Sequence, residues 1–142
     1  MTESAKHSVS VAGVIVNDEG QVLLIRRRDN GHWEPPGGVL EIDETIADGL
    51  QREVFEESGL SVEPIRLTGI YKNMKLGVLA LVFLCRIVSG KLALNPEVSD
   101  FRWARRSEIE NLMTATFARR VTDALDGDRT ASVRSHNGRN FV

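Results

Sequence analysis

Apolar residues follow several different rhythms along this chain. Residues 8–16 alternate loosely and are rich in Val and Ile; Asp18-Glu19-Gly20 then interrupts them before a second apolar stretch at 21–28. Two such runs around a turn signal predict a β-hairpin. In the second run, alternation puts Val22, Leu24 and Arg26 on one face and Leu23, Ile25 and Arg27 on the other. Residues 29–38 hold Gly31, Pro35, Pro36, Gly37 and Gly38, a density of breakers that predicts a shaped loop without regular structure. Helical spacing follows over 44–58 through Ile46, Ala47, Leu50 and Val54, with Gly59 placed as a left-handed C-cap and Asp43 as the expected N-cap.

Longer strands are predicted over 62–74 and 78–89. The second is uniformly apolar from Val78 to Leu84, the signature of a central strand covered on both faces. Short strands are expected at 92–94 and 100–104. Ser107 and Glu110 form a capping-box pattern for a helix reaching Leu112, and a further helix over 114–125 would pack Phe117, Val121, Ala124 and Leu125, ending at Gly127. Residues 128–142 read as a polar tail, with Val133 and Phe141 its few anchors. The order of elements predicts an α/β fold, a mixed sheet between helices, in one domain spanning 1–142 with its core at about 8–125.

Composition narrows the function. The 142 residues are 42% hydrophobic and 27% charged, enough for one packed core. A formal charge of −2 supplies no broad basic field, which argues against a nucleic-acid polymer as partner. The apolar run 78–84 falls far short of the roughly 20 residues needed to cross a bilayer, so no membrane partner is expected. Residues 1–8 include Glu3 and Lys6 and no apolar segment, against a secretory signal. The single Cys85 cannot form an internal disulfide, and with that a cytoplasmic location is expected. His7, His32 and His136 lack ligand spacing.

The candidate chemistry lies on the 44–58 helix. Glu53, Glu56 and Glu57 stand at i, i+3 and i+4 and share one ridge beside the apolar stripe. At about 6 Å and an effective dielectric near 20, each ionised pair costs about 3 kcal/mol. Pairing Arg52 with Glu56 contributes only about 0.5 kcal/mol. A hard dication, Mg²⁺ or alternatively Mn²⁺, would relieve such crowding, whereas zinc would call for His or Cys. Spacing alone equally fits a solvated acidic face. Arg26 and Arg28 share one strand face and could grip phosphate oxygens, while Gly37 and Gly38 let backbone approach a ligand closely.

Gly38 is followed after five residues by Glu44, after seven more by Arg52-Glu53-Val54, then by Glu56-Glu57 and Gly59-Leu60. This pattern resembles a complete Nudix box from Gly38 to Leu60. Leu23 to Arg27 with Trp33-Glu34-Pro35-Pro36-Gly37-Gly38 is similar to the strand and loop that lead into that box, and Phe101-Arg102-Trp103 with Ser107-Glu108 resembles the family's late strand and short helix. The resemblance covers about residues 8–125, and Pro35 replaces a more usual aliphatic residue.

The resemblance implies a Nudix-like α/β/α sandwich and a Mg²⁺-dependent pyrophosphohydrolase. It places Glu53, Glu56 and Glu57 as metal ligands together with the Gly38 or Gly37 carbonyl. Arg52 would orient a glutamate, Glu44 would support the helix start, and Glu53 or Glu56 would serve as general base. The family also uses an acid from a later loop, and Glu97 in Asn95-Pro96-Glu97 looks like that ligand or base. A nucleoside triphosphate or other nucleoside diphosphate derivative is the default substrate. Lys75, Leu76 and Gly77 lend no support to the more specialised ADP-ribose, dinucleoside polyphosphate, coenzyme A or NADH assignments. Homodimerisation stays open. The competing reading is a catalytically silent Nudix-fold regulator that binds nucleotide.

Overall fold

The computed structural model describes residues 5–127 and 129–142. A five-stranded mixed sheet is built from β1 (Ser8–Ile15), β4 (Gly37–Val39), β5 (Leu60–Asn73), β6 (Val78–Gly90) and β8 (Ser132–His136), in the order β4-β1-β6-β5-β8. The apolar β6 is its central strand, parallel to β1 and antiparallel to β5. A three-stranded antiparallel sheet contains β2 (Val22–Arg27) between β3 (Trp33–Glu34) and β7 (Val98–Ala104). Alternation along β1 divides the core: Val11 and Ile15 pack with Leu50 and Val54 of α1 (Ile46–Ser58), while Ala12 and Val14 pack with Ala118 and Val121 of α3 (Ala115–Asp126). Helices therefore cover both faces of the mixed sheet, the α/β/α arrangement expected. No helix among the described residues is long and apolar enough to cross a membrane.

Several local expectations are corrected. The two N-terminal strands do not form a ladder together. The Val16–Val22 bridge and hydrogen bonds between Asn17 and Gln21 join them at the turn. Val22 to Ile25 are all buried, so this stretch of β2 has no solvent face; the strand inserts between β3 and β7, feeding Leu24 into one core and Leu23 into the other. The breaker-rich 29–38 segment contains β3 and the start of β4, because extended backbone at edge positions tolerates neighbouring prolines. Residues 92–94 form no strand; Ala93 N–H instead donates to the Ser58 carbonyl at the end of α1.

Helix boundaries shift for reasons of hydrogen bonding. Thr45, not Asp43, caps α1, its hydroxyl accepting from Asp48 N–H at 3.1 Å. Gly59 has the expected positive φ of 83° at the other end. The late capping box joins Arg105 and Glu108, whose carboxylate accepts Arg105 N–H at 2.9 Å, rather than Ser107 and Glu110. It begins a 3₁₀ turn, Arg106–Glu108, leading into α2 (Ile109–Leu112). The expected polar tail is instead structured. Strand β8 runs parallel to β5 over Gly69–Asn73, and Arg134 grips Asp123 of α3 at 2.8 and 2.9 Å. Two sequence expectations reach beyond the described residues, at Asp128 and in the segment preceding residue 5.

Candidate active site

The site is organised by two glycines in β4. Gly37 lies opposite Ala12 and Gly38 opposite Val11 in the β1 ladder. A Cβ on Gly37 would stand 2.3 Å from the Val11 carbonyl oxygen, and one on Gly38 would stand 2.3 Å from Glu53 Oε2. Their bareness lets the acidic ridge of α1 lie directly against the strand. Gly37 N–H donates to Glu57 Oε1 at 2.7 Å.

Glu57 is only 6% exposed. Burial pushes its carboxyl up to about 7, and the nearby charges of Glu53, Glu97 and Glu34 add to the rise while the Gly37 N–H opposes it. Glu53 is also raised, first by burial, against the restraining pull of Arg52. Arg52 ties the ridge together: it donates to Glu44 at 2.7 and 2.9 Å, to Glu53 at 2.9 Å and to Glu56 at 3.3 Å. The bonds from Arg52 hold the Glu44 carboxyl down at about 2. Arg52 thus hydrogen-bonds three acids rather than one and lies 4.0 Å from a fourth, Glu41, and Glu56 is the member of the ridge turned toward solvent, its side chain 56% exposed. Among the described residues no three acidic, His or Cys side chains form a ready-made ion cage, since Arg52 draws Glu53 and Glu56 to itself.

Beside Glu57 opens a cavity of about 460 Å³ lined by Arg27, Arg28, Asp29, Pro96 and Glu97. Asn95 anchors its far wall. The Asn95 side-chain amide donates to the Glu57 carbonyl at 2.9 Å, and its Oδ1 accepts from Glu97 N–H and Val98 N–H. Arg28 completes the connection, Nε donating to the Asn95 carbonyl at 3.0 Å and its backbone N–H to the Glu97 carbonyl at 2.9 Å. Glu97 therefore lines the same cavity as Glu57.

Arg26 is not brought to this cavity. Its guanidinium lies over Trp33, 5.9 Å from the ring centroid, and donates to the Gly31 carbonyl. Arg27 takes its place beside Arg28. A bulge explains the exchange: Arg26 faces Asp100 and Arg27 faces Val98, so Ser99 is an extra residue in β7, and β2 ends before Arg28. Strict alternation cannot extend through that break. Arg27 is fixed by Asp29 at 2.6 Å and Glu34 at 3.2 Å. It also lines a second cavity, about 240 Å³, with Glu34, Gly37, Gly38, Phe117 and Arg120.

An acidic helix packed on a glycine strand, facing arginines across a cleft, matches a known pattern. Residues 6–125 match the family described as NUDIX domain. This chain belongs to the Nudix hydrolase family. Over 141 residues this Nudix hydrolase is 48% identical to a MutT-like protein of Streptomyces ambofaciens, covering 99% of this chain and 91% of that relative. It is 30% identical to an ADP-ribose pyrophosphatase of Methanocaldococcus jannaschii, covering 78% and 67% respectively. A Nudix hydrolase structure from Nitrosomonas europaea superposes with a TM-score of 0.76 at 30% identity, covering 89% of this chain and 93% of that one.

Sequence reasoning did not single out four residues that line or brace the two cavities of this Nudix hydrolase. Asn95 carried an available signal, since Asn followed by Pro and an acid marks a turn whose side chain bonds forward to backbone. Arg27 was obscured by the bulge. Glu34 and Arg120 meet only through the fold, 86 positions apart in the chain, and no local pattern connects them.

Proposed function

We propose that this Nudix hydrolase is a Mg²⁺-dependent pyrophosphohydrolase, with Mn²⁺ as an alternative ion, that cleaves the diphosphate bond of a nucleoside triphosphate or another nucleoside diphosphate derivative. The observation that carries this reading is Glu57: a buried carboxylate, crowded by acids, held by Gly37 N–H at the edge of a cleft whose other wall carries Arg27 and Arg28.

The donor set fits a hard dication in chemistry, being carboxylate and carbonyl oxygen throughout. Glu53, Glu56 and Glu57 with the Gly38 carbonyl would hold it. When bound, such an ion polarises phosphorus and acidifies water. The protein's own residues do the rest. Arg27 and Arg28 orient the diphosphate by charge-assisted hydrogen bonds. Arg52 sets the rotamers of Glu53 and Glu56 and gives both a counter-charge. Removal of a proton from the attacking water falls to Glu53 or Glu56 of the α1 ridge or to Glu97 of the cleft.

A panel of nucleoside triphosphates and nucleoside diphosphate derivatives, incubated with and without Mg²⁺ or Mn²⁺ and read by product identification, tests the reading. Metal-dependent release of a nucleoside monophosphate, with pyrophosphate or the other phosphorylated fragment, supports it. Saturable nucleotide binding without any product would instead favour the regulator reading.

A further inference from the structure

Among the described residues, two buried side-chain polar atoms have no hydrogen-bond partner: Arg120 Nε and His136 Nε2. His136 lines neither of the two cavities described above, and its other nitrogen accepts Gly138 N–H. Arg120 does line one, the 240 Å³ cavity next to the diphosphate cleft. Its guanidinium rests on ring faces, 4.6 Å from the Phe117 centroid and 5.5 Å from that of Tyr71. No ion pair or hydrogen bond engages it among the described residues, and the carboxylate whose charge acts on it from the same cavity lining is Glu34. An arginine half-buried against two rings, its Nε shut off from water and without a partner, has donors of its fork unspent.

The cavity's size and place indicate what spends them. Pockets that swallow whole drug-sized ligands run from roughly 300 to 1,000 Å³. A volume of about 240 Å³ suits a smaller fragment, the size of a nucleobase. Arg27 lines both this cavity and the 460 Å³ cleft, so one nucleotide could span them with phosphates in the cleft and base in the smaller space.

We propose that Arg120 is a specificity-determining residue of this enzyme, selecting purines that carry an oxygen at position six. The inference rests on the nucleotide reading above. A guanidinium can only donate, and a six-oxo purine offers O6 and N7 as adjacent acceptors for a bidentate contact, whereas a six-amino purine turns N–H groups toward the same donors. Glu34 supplies the complementary test on the other edge. Its Oε1 is taken by Arg27, and Oε2 accepts no hydrogen bond among the described residues, leaving it for the N1–H that six-oxo purines have and adenine lacks.

The experiment pairs turnover with binding. kcat/KM is measured for GTP, ITP and ATP, and Kd is measured by calorimetry for GMP, IMP, AMP and 2-aminopurine riboside monophosphate. The wild type is expected to favour GTP and ITP over ATP by tenfold or more, the scale of one bidentate base contact. IMP should bind like GMP, and the 2-aminopurine nucleotide, which keeps the two-amino group but lacks O6, like AMP. Arg120→Met, verified by its thermal melt, should bring the GTP to ATP ratio toward one. If that variant does not fold, the wild-type comparison of IMP with the 2-aminopurine nucleotide decides alone. Equal binding of IMP and AMP, or an Arg120→Met loss of one common factor for all purines, overturns the proposal. Selective GMP and IMP binding without any hydrolysis would leave Arg120 in this role and refute the hydrolase reading; hydrolysis blind to the base would do the reverse.

Discussion

The adjacent glycines of β4 should fail in opposite ways when each is given a methyl group. Neither has a positive φ, so conformational strain is not the issue and space alone decides. At Gly37 the new Cβ would meet backbone, 2.3 Å from the Val11 carbonyl oxygen and 2.7 Å from Ala12 Cα. Backbone inside a paired strand cannot step aside, so Gly37→Ala should cost at least the roughly 3 kcal/mol at the upper end of overpacking. For a chain of this size that lowers Tm by about 6–12 °C. At Gly38 the Cβ would meet the Glu53 carboxylate, the far end of a side chain that can swing away at the cost of its 2.9 Å bond from Arg52. Gly38→Ala should therefore melt within about 4 °C of the parent, near a 1 kcal/mol change. Its turnover should nevertheless fall about 100-fold, the scale of an ångström's misplacement of a catalytic group. Metal-free thermal melts and steady-state hydrolysis of an accepted nucleotide measure the pair. A stable Gly37→Ala, or a fully active Gly38→Ala, would refute the placement of the acidic ridge against this strand.

Glu57→Gln keeps an oxygen for Gly37 N–H but loses the charge, so it should fold normally, lose turnover, and show a smaller Mg²⁺-induced rise in Tm than the parent at neutral pH. Thr45→Ala should cost about 1 kcal/mol in a denaturant melt by uncapping α1, whereas Asp43→Ala should cost nothing measurable. Asp123 accepts from Tyr71 at 2.7 Å and from Arg134, and although burial works to raise its carboxyl, these partners hold it below the ordinary value of 3.8. Its stabilisation is then complete above that ordinary value and is lost as pH falls through the lower folded-state value. Asp123→Asn should lower Tm by about 4–8 °C at pH 7, near 2 kcal/mol, with the gap closing below pH 4.

What was legible in the sequence was whatever short-range periodicity determines. The span of α1, its Gly59 terminus and the central place of β6 follow from spacing and uniform hydropathy, and the ridge of Glu53, Glu56 and Glu57 follows from helical geometry. Long-range pairing was not legible. The turn at Asp18-Glu19-Gly20 shows where the chain reverses, but not that β1 pairs with β6 and β2 with β7, a choice made by burial on both faces. Arg26 and Arg27 exchanged roles because one extra residue, Ser99, sits in a strand more than 70 positions away. Thr45 displaced Asp43 because both residue types can cap a helix, and only the path of the preceding turn selects between them. Strand β8 escaped notice because Ser132 to His136 alternates weakly; its place is fixed by Arg134 reaching Asp123 rather than by apolar burial.

That last strand has a consequence for biosynthesis. The outer edge of β5 gains its parallel neighbour only when residues 132–136 have emerged, about sixty residues after β5 itself, and until then its Gly69–Asn73 stretch presents unpaired amides and carbonyls to its surroundings. A stalled or clipped polypeptide lacking those five residues would carry the acidic ridge of α1 intact on a sticky, unfinished sheet, so quality control of this enzyme should hinge on a segment far from that ridge.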